Sequence, residues 1–378
     1  MPHFDIIRAA QPGESFRVKS VMGTYDLQTN KTTEHFVGDI DLPDEWNVGL
    51  IVGRSGTGKT TIARELFGDC IIDGYEYTHE SILDDMPKDA SVAEITAALS
   101  SVGFASPPSW LKSYAMLSNG EKMRCDLARA MLEKRDVFCF DEFTSVVDRT
   151  VAKVGSFAIQ KAIRRGGQKF IAVTCHADVE EWLMPDWVFN TDTMTFSVKD
   201  LAEQKKNRPG IRLEFVDIKD TRAKEFYWRI FRKYHYLSNT FQKGARVFLT
   251  FANGELCGFI SYIYFMHPNG TEKLWQAHRV VVLPDYQGVG IGGSQMEITA
   301  QILAKEGKVA IITTSNRAMV QALAKKKDWI CTFIGRHNTK SKIGYRHIAG
   351  RLNGTCCVRT VASFHYNAKK ARFTELGK

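Results

Sequence analysis

No stretch of this 378-residue sequence approaches the roughly 18 consecutive apolar residues of a membrane-spanning helix, which argues against a membrane partner. The opening segment MPHFDIIRAAQPGESF has no apolar core behind a basic start, so no secretory signal is expected. Cys-x-x-Cys pairs are missing too. The eight cysteines (Cys70, Cys125, Cys139, Cys175, Cys257, Cys331, Cys356, Cys357) have no histidine at zinc-finger spacing. They read as reduced thiols of a cytoplasmic protein, not as disulfides or a zinc ribbon. Proline is scarce, 10 of 378 residues, while 44% of the chain is hydrophobic. Disordered and fibrous classes are thereby excluded, and the length suits two or three domains.

Charge is what the sequence has in excess, and it is unevenly placed. Residues 1–200 carry 21 Lys and Arg against 30 Asp and Glu, a net of −9. Residues 201–378 carry 30 against 12, a net of +18. An acidic half joined to a strongly basic one points to a polyanionic partner for the second, nucleic acid in particular. A solvated basic surface that serves solubility is the alternative.

Periodicity divides the chain at the same place. Strand-like runs at Phe16–Val21, Val48–Val52, Val137–Phe140 and Phe170–Thr174 alternate with helical stretches over residues 1–200. The polar LAEQKKNRPG of residues 201–210 reads as a linker. Residues 211–378 then begin with a strand (211–218) and a long helix (222–236). A hairpin follows, 246–251 with 256–265, turning at Asn253-Gly254. Strands at 277–283 and 308–314 and helices at 293–306 and 317–327 complete an α/β pattern.

Gly53-Arg54-Ser55-Gly56-Thr57-Gly58-Lys59-Thr60 satisfies G-x-x-x-x-G-K-[ST], between an apolar strand and a helix that Thr61 opens. Such glycines let backbone N–H groups close around phosphates, Lys59 reaches the β- and γ-phosphates, and the Thr60 hydroxyl suits Mg²⁺. Val137–Phe140 ends in Asp141, suited to the same ion, and Glu142, placed to polarise a water. A glycine-rich turn and surface acids capping a strand are the competing readings. Leu117-Ser118-Asn119-Gly120-Glu121 opens another helix, Asp148 follows Glu142 closely, and His176 ends the strand 170–174.

In chain order these segments resemble the ABC-type ATPase family: Walker A, signature, Walker B with its glutamate, D-loop and H-switch. The resemblance covers about residues 15–200. It implies ATP and Mg²⁺ as cofactors and a homodimer that sandwiches ATP, with Ser118 and Gly120 contacting the nucleotide of a second protomer. Tyr25 would be the aromatic that stacks on adenine, or a packed core residue. No glutamine stands in the expected Q-loop region, residues 68–87, where His79 and Glu80 are the polar residues. Lys59 and Ser118 are 59 residues apart, so the helical insert is small. With no membrane segment, a soluble ATPase is favoured over a transporter subunit.

Gln287-Gly288-Val289-Gly290-Ile291-Gly292 follows a strand that ends at Val282-Leu283 and precedes a helix, a place where backbone N–H groups can hold a pyrophosphate. Coming after a helix and a hairpin, Q-x-x-G-x-G resembles the motif of the GNAT acyltransferase family, over about residues 211–335. The resemblance implies a mixed-sheet α/β domain and acetyl-CoA or another acyl-CoA bound by Val282 and the loop, with Asn316 facing the pantetheine arm. A Rossmann reading fits less well, since a hairpin precedes the loop. The helix after Asn316 lacks the tyrosine that many members use as a general acid. His278, Tyr286 and the pair His235-Tyr236 are the candidates instead, a histidine near neutrality being suited to take a proton from an amine. A packed or surface histidine is the plain alternative for each.

Farther on, Lys340, Lys342, Arg346 and Arg351 interleave with polar residues and Tyr345, a composition suited to phosphate contacts or simply to a solvated loop. An ATPase joined to a GNAT-like domain with a basic end resembles the tRNA-acetylating enzymes and the phage families that modify DNA bases. His235-Tyr236 resembles a pair in the Mom-type phage DNA-modifying proteins. The expected function is an ATP-dependent acyltransferase acting on a base, or on an amine attached to one, in DNA or RNA. The rivals are an acyltransferase for protein or small-molecule amines, and a non-catalytic nucleic-acid clamp gated by ATP.

Overall fold

A computed structural model describes residues 3–9, 13–27, 33–206, 210–235, 240–266, 273–337 and 359–367. The chain divides into two compact units, Met1–Val102 with Lys112–Pro209, and Gly103–Leu111 with Gly210–Lys378.

In the first unit an antiparallel ribbon pairs β1 (His3–Ala9) with β2 (Thr33–Asp39), and α1 (Phe16–Thr24) lies between them in sequence. A six-stranded sheet forms the centre. Its first strand is β3 (Val48–Val52), VGLIV, buried at every position as a strand covered on both faces must be. After it come α2 (Lys59–Phe67), β4 (Ile71–Ile72) and α3 (Val92–Ser101). The short α4 (Pro107–Trp110) groups with the second unit. The first unit resumes with α5 (Asn119–Leu132), β5 (Val137–Phe140), α6 (Arg149–Gly166), β6 (Lys169–Thr174) and α7 (Val179–Leu183). It closes with β7 (Trp187–Asn190), β8 (Thr195–Val198) and α8 (Leu201–Lys206).

The sheet order is β4-β5-β6-β3-β7-β8, parallel except for β8. Parallel pairing has a consequence for the site. The C-terminal ends of β3, β6 and β5 leave the sheet along one edge, where the loops carrying Gly53–Gly58, His176 and Asp141-Glu142 begin. Ile51, Ile62, Cys139, Ile171, Val173, Trp187 and Phe189 pack beneath them.

Two segments differ from the sequence reading. Phe16–Val21 alternates like a strand but is helical, because the Ser15 hydroxyl caps the Val18 N–H and no side chain of the segment is buried to reward strand pairing. Residues 201–206 are helical as well. The Asp200 carboxylate accepts from the Ala202 N–H (2.7 Å), and Gln204 Nε2 donates to the Pro185 carbonyl (2.8 Å).

The second unit runs β9 (Leu213–Ile218), α9 (Thr221–Phe231), β10 (Arg246–Ala252), β11 (Glu255–Phe265), β12 (Lys273–Val282) and α10 (Ile291–Lys305). It continues with β13 (Lys308–Thr314), α11 (Arg317–Ala324), β14 (Trp329–His337) and β15 (Arg359–Tyr366). The sheet order is β14-β15-β13-β12-β11-β10-β9, and only β12 and β13 are parallel. Alternation along β10 sends Val247 and Leu249 to the face covered by Trp228 and Phe231 of α9, and Phe248 to the face covered by Met296, Ala300 and Leu303 of α10. Asn253 (φ 51°) and Gly254 (φ 87°) make the hairpin turn, both left-handed as a two-residue primed turn requires.

Candidate functional site

Gly53–Gly58 forms a loop between β3 and α2 in which glycine is required three times. A Cβ on Gly53 would lie 2.1 Å from Thr191 Oγ1, and one on Gly58 would lie 2.6 Å from the Phe36 ring. Gly56 (φ 86°) and Gly58 (φ 81°) are left-handed, Gly58 as the N-cap of α2. Lys59 is buried and its Nζ donates to the Arg54 carbonyl across the loop (2.7 Å). Thr57 Oγ1 donates to the same carbonyl (2.8 Å), and the Arg54 N–H donates to Asp192 (3.1 Å). Ser55 is exposed, and Thr60 and Thr61 are half-buried in the first turn of α2.

One strand beyond β6, Asp141 and Glu142 follow β5. Glu142 is left-handed at φ 52° and Thr144 at φ 67°, conformations that cost about 1–3 kcal/mol each for residues with a Cβ. They are held by the Phe143 N–H bonded to the Val173 carbonyl (2.8 Å) and by Ser145 Oγ donating to Glu142 Oε2 (2.5 Å). His176 is half-buried past β6, its N–H bonded to Thr174 Oγ1 (3.2 Å).

The segment Ser118–Gly120 starts α5 with a capping box: Glu121 N–H donates to Ser118 Oγ (3.3 Å), and Ser118 N–H to Glu121 Oε2 (3.0 Å). A Cβ on Gly120 would meet Val151 at 2.9 Å. Asp148 caps α6 by accepting from Thr150 and Val151 N–H, and Asn119 Nδ2 donates to the Val146 carbonyl (3.3 Å). Ser118, Gly120 and Asp148 thus share one patch of a single protomer. Tyr25, 71% exposed, does not pack in the core. At the Q-loop position, His79 Nδ1 lies 2.6 Å from the buried Asp85 carboxylate.

In the second unit, β12 pairs with β13 from Lys273 only as far as Gln276, while its pairing with β11 continues to Val282. Beyond Gln276 the two parallel strands part. The glycine-rich loop lies at the end of β12: Gly288 (φ 88°) and Gly290 (φ 93°) are left-handed, and Gly290 is the N-cap of α10. Gln287 is fixed by both ends of its amide, Nε2 donating to the Val282 carbonyl (2.8 Å) and Oε1 accepting from the Ala105 N–H (2.9 Å). Val282 and Val289 pack with Ile291, and a Cβ on Gly292 would only touch Val282 and Met319. Asn316 caps α11 through Oδ1 on the Met319 N–H (2.9 Å).

His278 is the extra residue of a β-bulge. Ser261 faces Arg279 and Tyr262 faces Ala277, so His278 has no partner on β11. Its Nδ1 is buried without a hydrogen-bond partner among the described residues. Burial, and then the neighbouring Arg279 charge, push its pKa from 6.5 down to about 4, so the ring is neutral near pH 7.

Residues 201–327 match the acetyltransferase (GNAT) family. They form a GNAT acetyltransferase domain. The N-terminal part is similar to ABC-type ATP-binding proteins, so the chain joins the two. It is 33% identical over 122 residues to the mRNA export factor elf1 of Schizosaccharomyces pombe, 26% of this chain and 11% of that protein. To the spermidine/putrescine import ATP-binding protein PotA of Borreliella afzelii it is 25% identical over 206 residues, 45% of this chain and 57% of that one. The chain therefore spans about a tenth of the yeast protein's length and just over half of PotA's. Among solved structures, the dimeric structure of MJ0796, a bacterial ABC transporter cassette, is 12% identical, with a TM-score of 0.33 over 42% of this chain and 87% of that chain. No described helix is long and apolar enough to cross a membrane.

The acetyltransferase domain also holds a residue that sequence reading passed over. Arg279 is 7% exposed and makes no ion pair with a described carboxylate. Its guanidinium donates to the carbonyls of His278 and Thr240 (both 2.8 Å) and lies over the Trp228 ring (5.8 Å). The His235 ring packs edge-on against the same Trp228 (5.7 Å). His235 and the bulge strand therefore converge on one indole. Tyr286, by contrast, is turned inward: its hydroxyl donates to Glu255, and burial with that carboxylate raises its pKa. That bond directs its proton to Glu255. Tyr236, Lys340, Lys342, Arg346 and Arg351 lie outside the described residues.

Proposed function

We propose that this chain is an ATP-dependent acyl-CoA acyltransferase, in the first place an N-acetyltransferase, acting on a nucleic-acid base or an amine attached to one. The observation that carries the reading is the parting of β12 from β13 beside the left-handed start of α10, with the buried, unpartnered Nδ1 of His278 on the β12 bulge against β11. Past Gln276, the edge of β12 that faced β13 has backbone groups free to pair with the amides of a pantetheine arm. Loop N–H groups at the start of α10 would hold the pyrophosphate, with Val282, Gln287, Gly288, Val289, Gly290 and Gly292 forming its cradle and Asn316 flanking the arm. Acyl-CoA, when bound, supplies the thioester from which the acyl group leaves.

The neutral His278 would take the proton of the attacking amine, with His235 the second candidate. A base of pKa about 4 is poorly matched to an alkylammonium, which must lose its proton before attack. It suits the exocyclic amine of a base, which is already neutral at pH 7 and becomes acidic only on attack. Charge supports the same substrate class, the second half carrying a net of +18.

In the first unit, the glycine cradle at Gly53, Ser55, Gly56 and Gly58 fits a nucleotide's phosphates, with Lys59 and Thr61 at its rim. Thr60 and Asp141 offer the one or two oxygens that Mg²⁺ takes from protein when phosphates provide the rest. Glu142 and His176 would orient the attacking water, and Tyr25 is exposed for stacking. The patch of Ser118, Gly120 and Asp148 would close on the nucleotide of a second protomer, clamping the substrate in an ATP-dependent homodimer. Mass spectrometry of nucleosides from cells expressing the protein tests the whole: an acylated nucleoside absent from cells carrying His278→Asn supports it. Unchanged nucleosides alongside acylated proteins or small amines would favour the rival acyltransferase.

A further inference from the structure

We propose that the outer face of α9 is the track on which a single nucleic-acid strand lies as it approaches the acetyltransferase domain. The inference rests on the nucleic-acid reading above and deepens it. Helix α9 is two-sided. Trp228 and Phe231 are buried against the sheet, whereas Arg222, Phe226 and Arg229 are exposed. These three are spaced four and three residues apart, so they share one face. Arg232 and Lys233, also exposed, continue the line in the turn that follows. From Arg222 to Lys233 the line is about 16 Å long at 1.5 Å per residue, room for a short run of phosphates.

The cations of this face form no close ion pair with a described carboxylate, although Lys233 lies over the Tyr234 ring (4.9 Å). Among the described residues, Arg222, Arg229, Arg232 and Lys233 have no carboxylate within 4.0 Å. The one acid within α9, Glu225, is paired with Lys243 (2.7 Å), and Asp220 is used as the N-cap, accepting from the Ala223 N–H (2.6 Å). Lys224 points elsewhere, to the Ala245 carbonyl (2.9 Å). The face therefore presents net positive charge.

Helix electrostatics explains only part of this. Cations in the last turn complement the helix dipole, which would account for Arg229 and the residues after it. Arg222 stands in the first turn, where a cation opposes the dipole, so its placement calls for an anion outside the helix. Phe226 has no fold reason either: it is 59% exposed, one turn from an arginine on each side, and steadied edge-on by Tyr227 (5.3 Å). An exposed ring between cations is the arrangement that stacks an unpaired base while neighbouring phosphates are neutralised. A duplex keeps its base faces stacked inside, and an acidic peptide has none to offer, so a single strand is the occupant that uses every element of the face. Trp228, on the inner side of the same helix, touches both Arg279 and His235. A strand following α9 toward His235 thus arrives beside the groups assigned to acyl transfer.

The test titrates full-length protein with fluorescein-labelled oligo(dT) and oligo(rU) at several salt concentrations. Circular dichroism and acetyl-CoA affinity are measured beside it to show that each variant is folded. Arg222→Glu with Arg229→Glu should weaken binding and flatten the dependence of log affinity on log salt by about 1.4, at about 0.7 for each single-strand phosphate no longer neutralised. Phe226→Ala should weaken it by about fivefold to a hundredfold while leaving that slope unchanged, because stacking releases no counterions. Acetyl-CoA affinity should be the same in all three proteins. Wild-type binding with unchanged affinity and slope in the double variant would overturn the track and leave the function reading standing. Tighter binding to a duplex, or displacement by poly-glutamate at equal charge, would overturn the single strand as occupant. Wild-type protein that binds no nucleic acid at low salt would overturn the function reading itself.

Discussion

His278 makes the first residue-scale prediction, through its pH behaviour. Its folded pKa of about 4 lies below the ordinary 6.5, so the unfolded chain binds a proton that the folded one refuses. Its contribution is complete above pH 6.5, falls as the pH drops toward 4, and is flat below that. His278→Asn should therefore lose less stability than wild type between pH 7 and 4.5, as read from urea midpoints, and should lose acyl transfer at every pH. Equal pH slopes would show that the ring is solvated and able to charge. Gly290 gives a second prediction. At φ 93° a side chain is strained, and a carboxylate there repels a pyrophosphate, so Gly290→Glu should abolish acetyl-CoA binding in calorimetry while ATP binding persists. The left-handed Gly56, Gly58, Gly288 and Gly290 were legible because glycine-rich loops are local motifs. Arg279 was not, since nothing local distinguishes a strand arginine that solvates itself on carbonyls from one that faces water. The Tyr286–Glu255 bond was hidden for the same reason, its two residues lying 31 apart in the chain.

At the scale of elements, the strained turn after β5 and the caps of α5 and α6 make predictions of their own. Glu142→Gln should keep ATP bound but not hydrolysed, so that ATP shifts the protein to twice its mass in size-exclusion chromatography. An unchanged elution volume with and without ATP would contradict the sandwich. Ser118→Arg should abolish hydrolysis and spare nucleotide binding, since its patch would serve the nucleotide of the second protomer. Strands β3, β5, β6 and β13 were legible because each is an apolar run bounded by turn residues. The misreading of α1 follows from its exposure: with no buried face, neither period is enforced, and Ser15 decides. The hairpin of β14 and β15 was invisible because its pairing spans a long intervening segment. The bulge at His278 was invisible because register belongs to two strands at once.

For the whole molecule, the sequence shows an acidic half, residues 1–200, and a basic half, residues 201–378. What it could not carry was the grouping of Gly103–Leu111 with the second unit, a matter of packing that leaves no mark in composition. ATP, acyl-CoA and nucleic acid meet in one proposed reaction, and each link is tested separately. The most direct measurement incubates purified protein with labelled acetyl-CoA and single-stranded DNA or RNA, with and without ATP, and follows label in nucleosides after digestion. The proposed reaction places label on a nucleoside base or its attached amine, raised by ATP and lost in both His278→Asn and Gly290→Glu. Label that reaches only free amines or protein, with nucleosides blank at every ATP concentration, would contradict it.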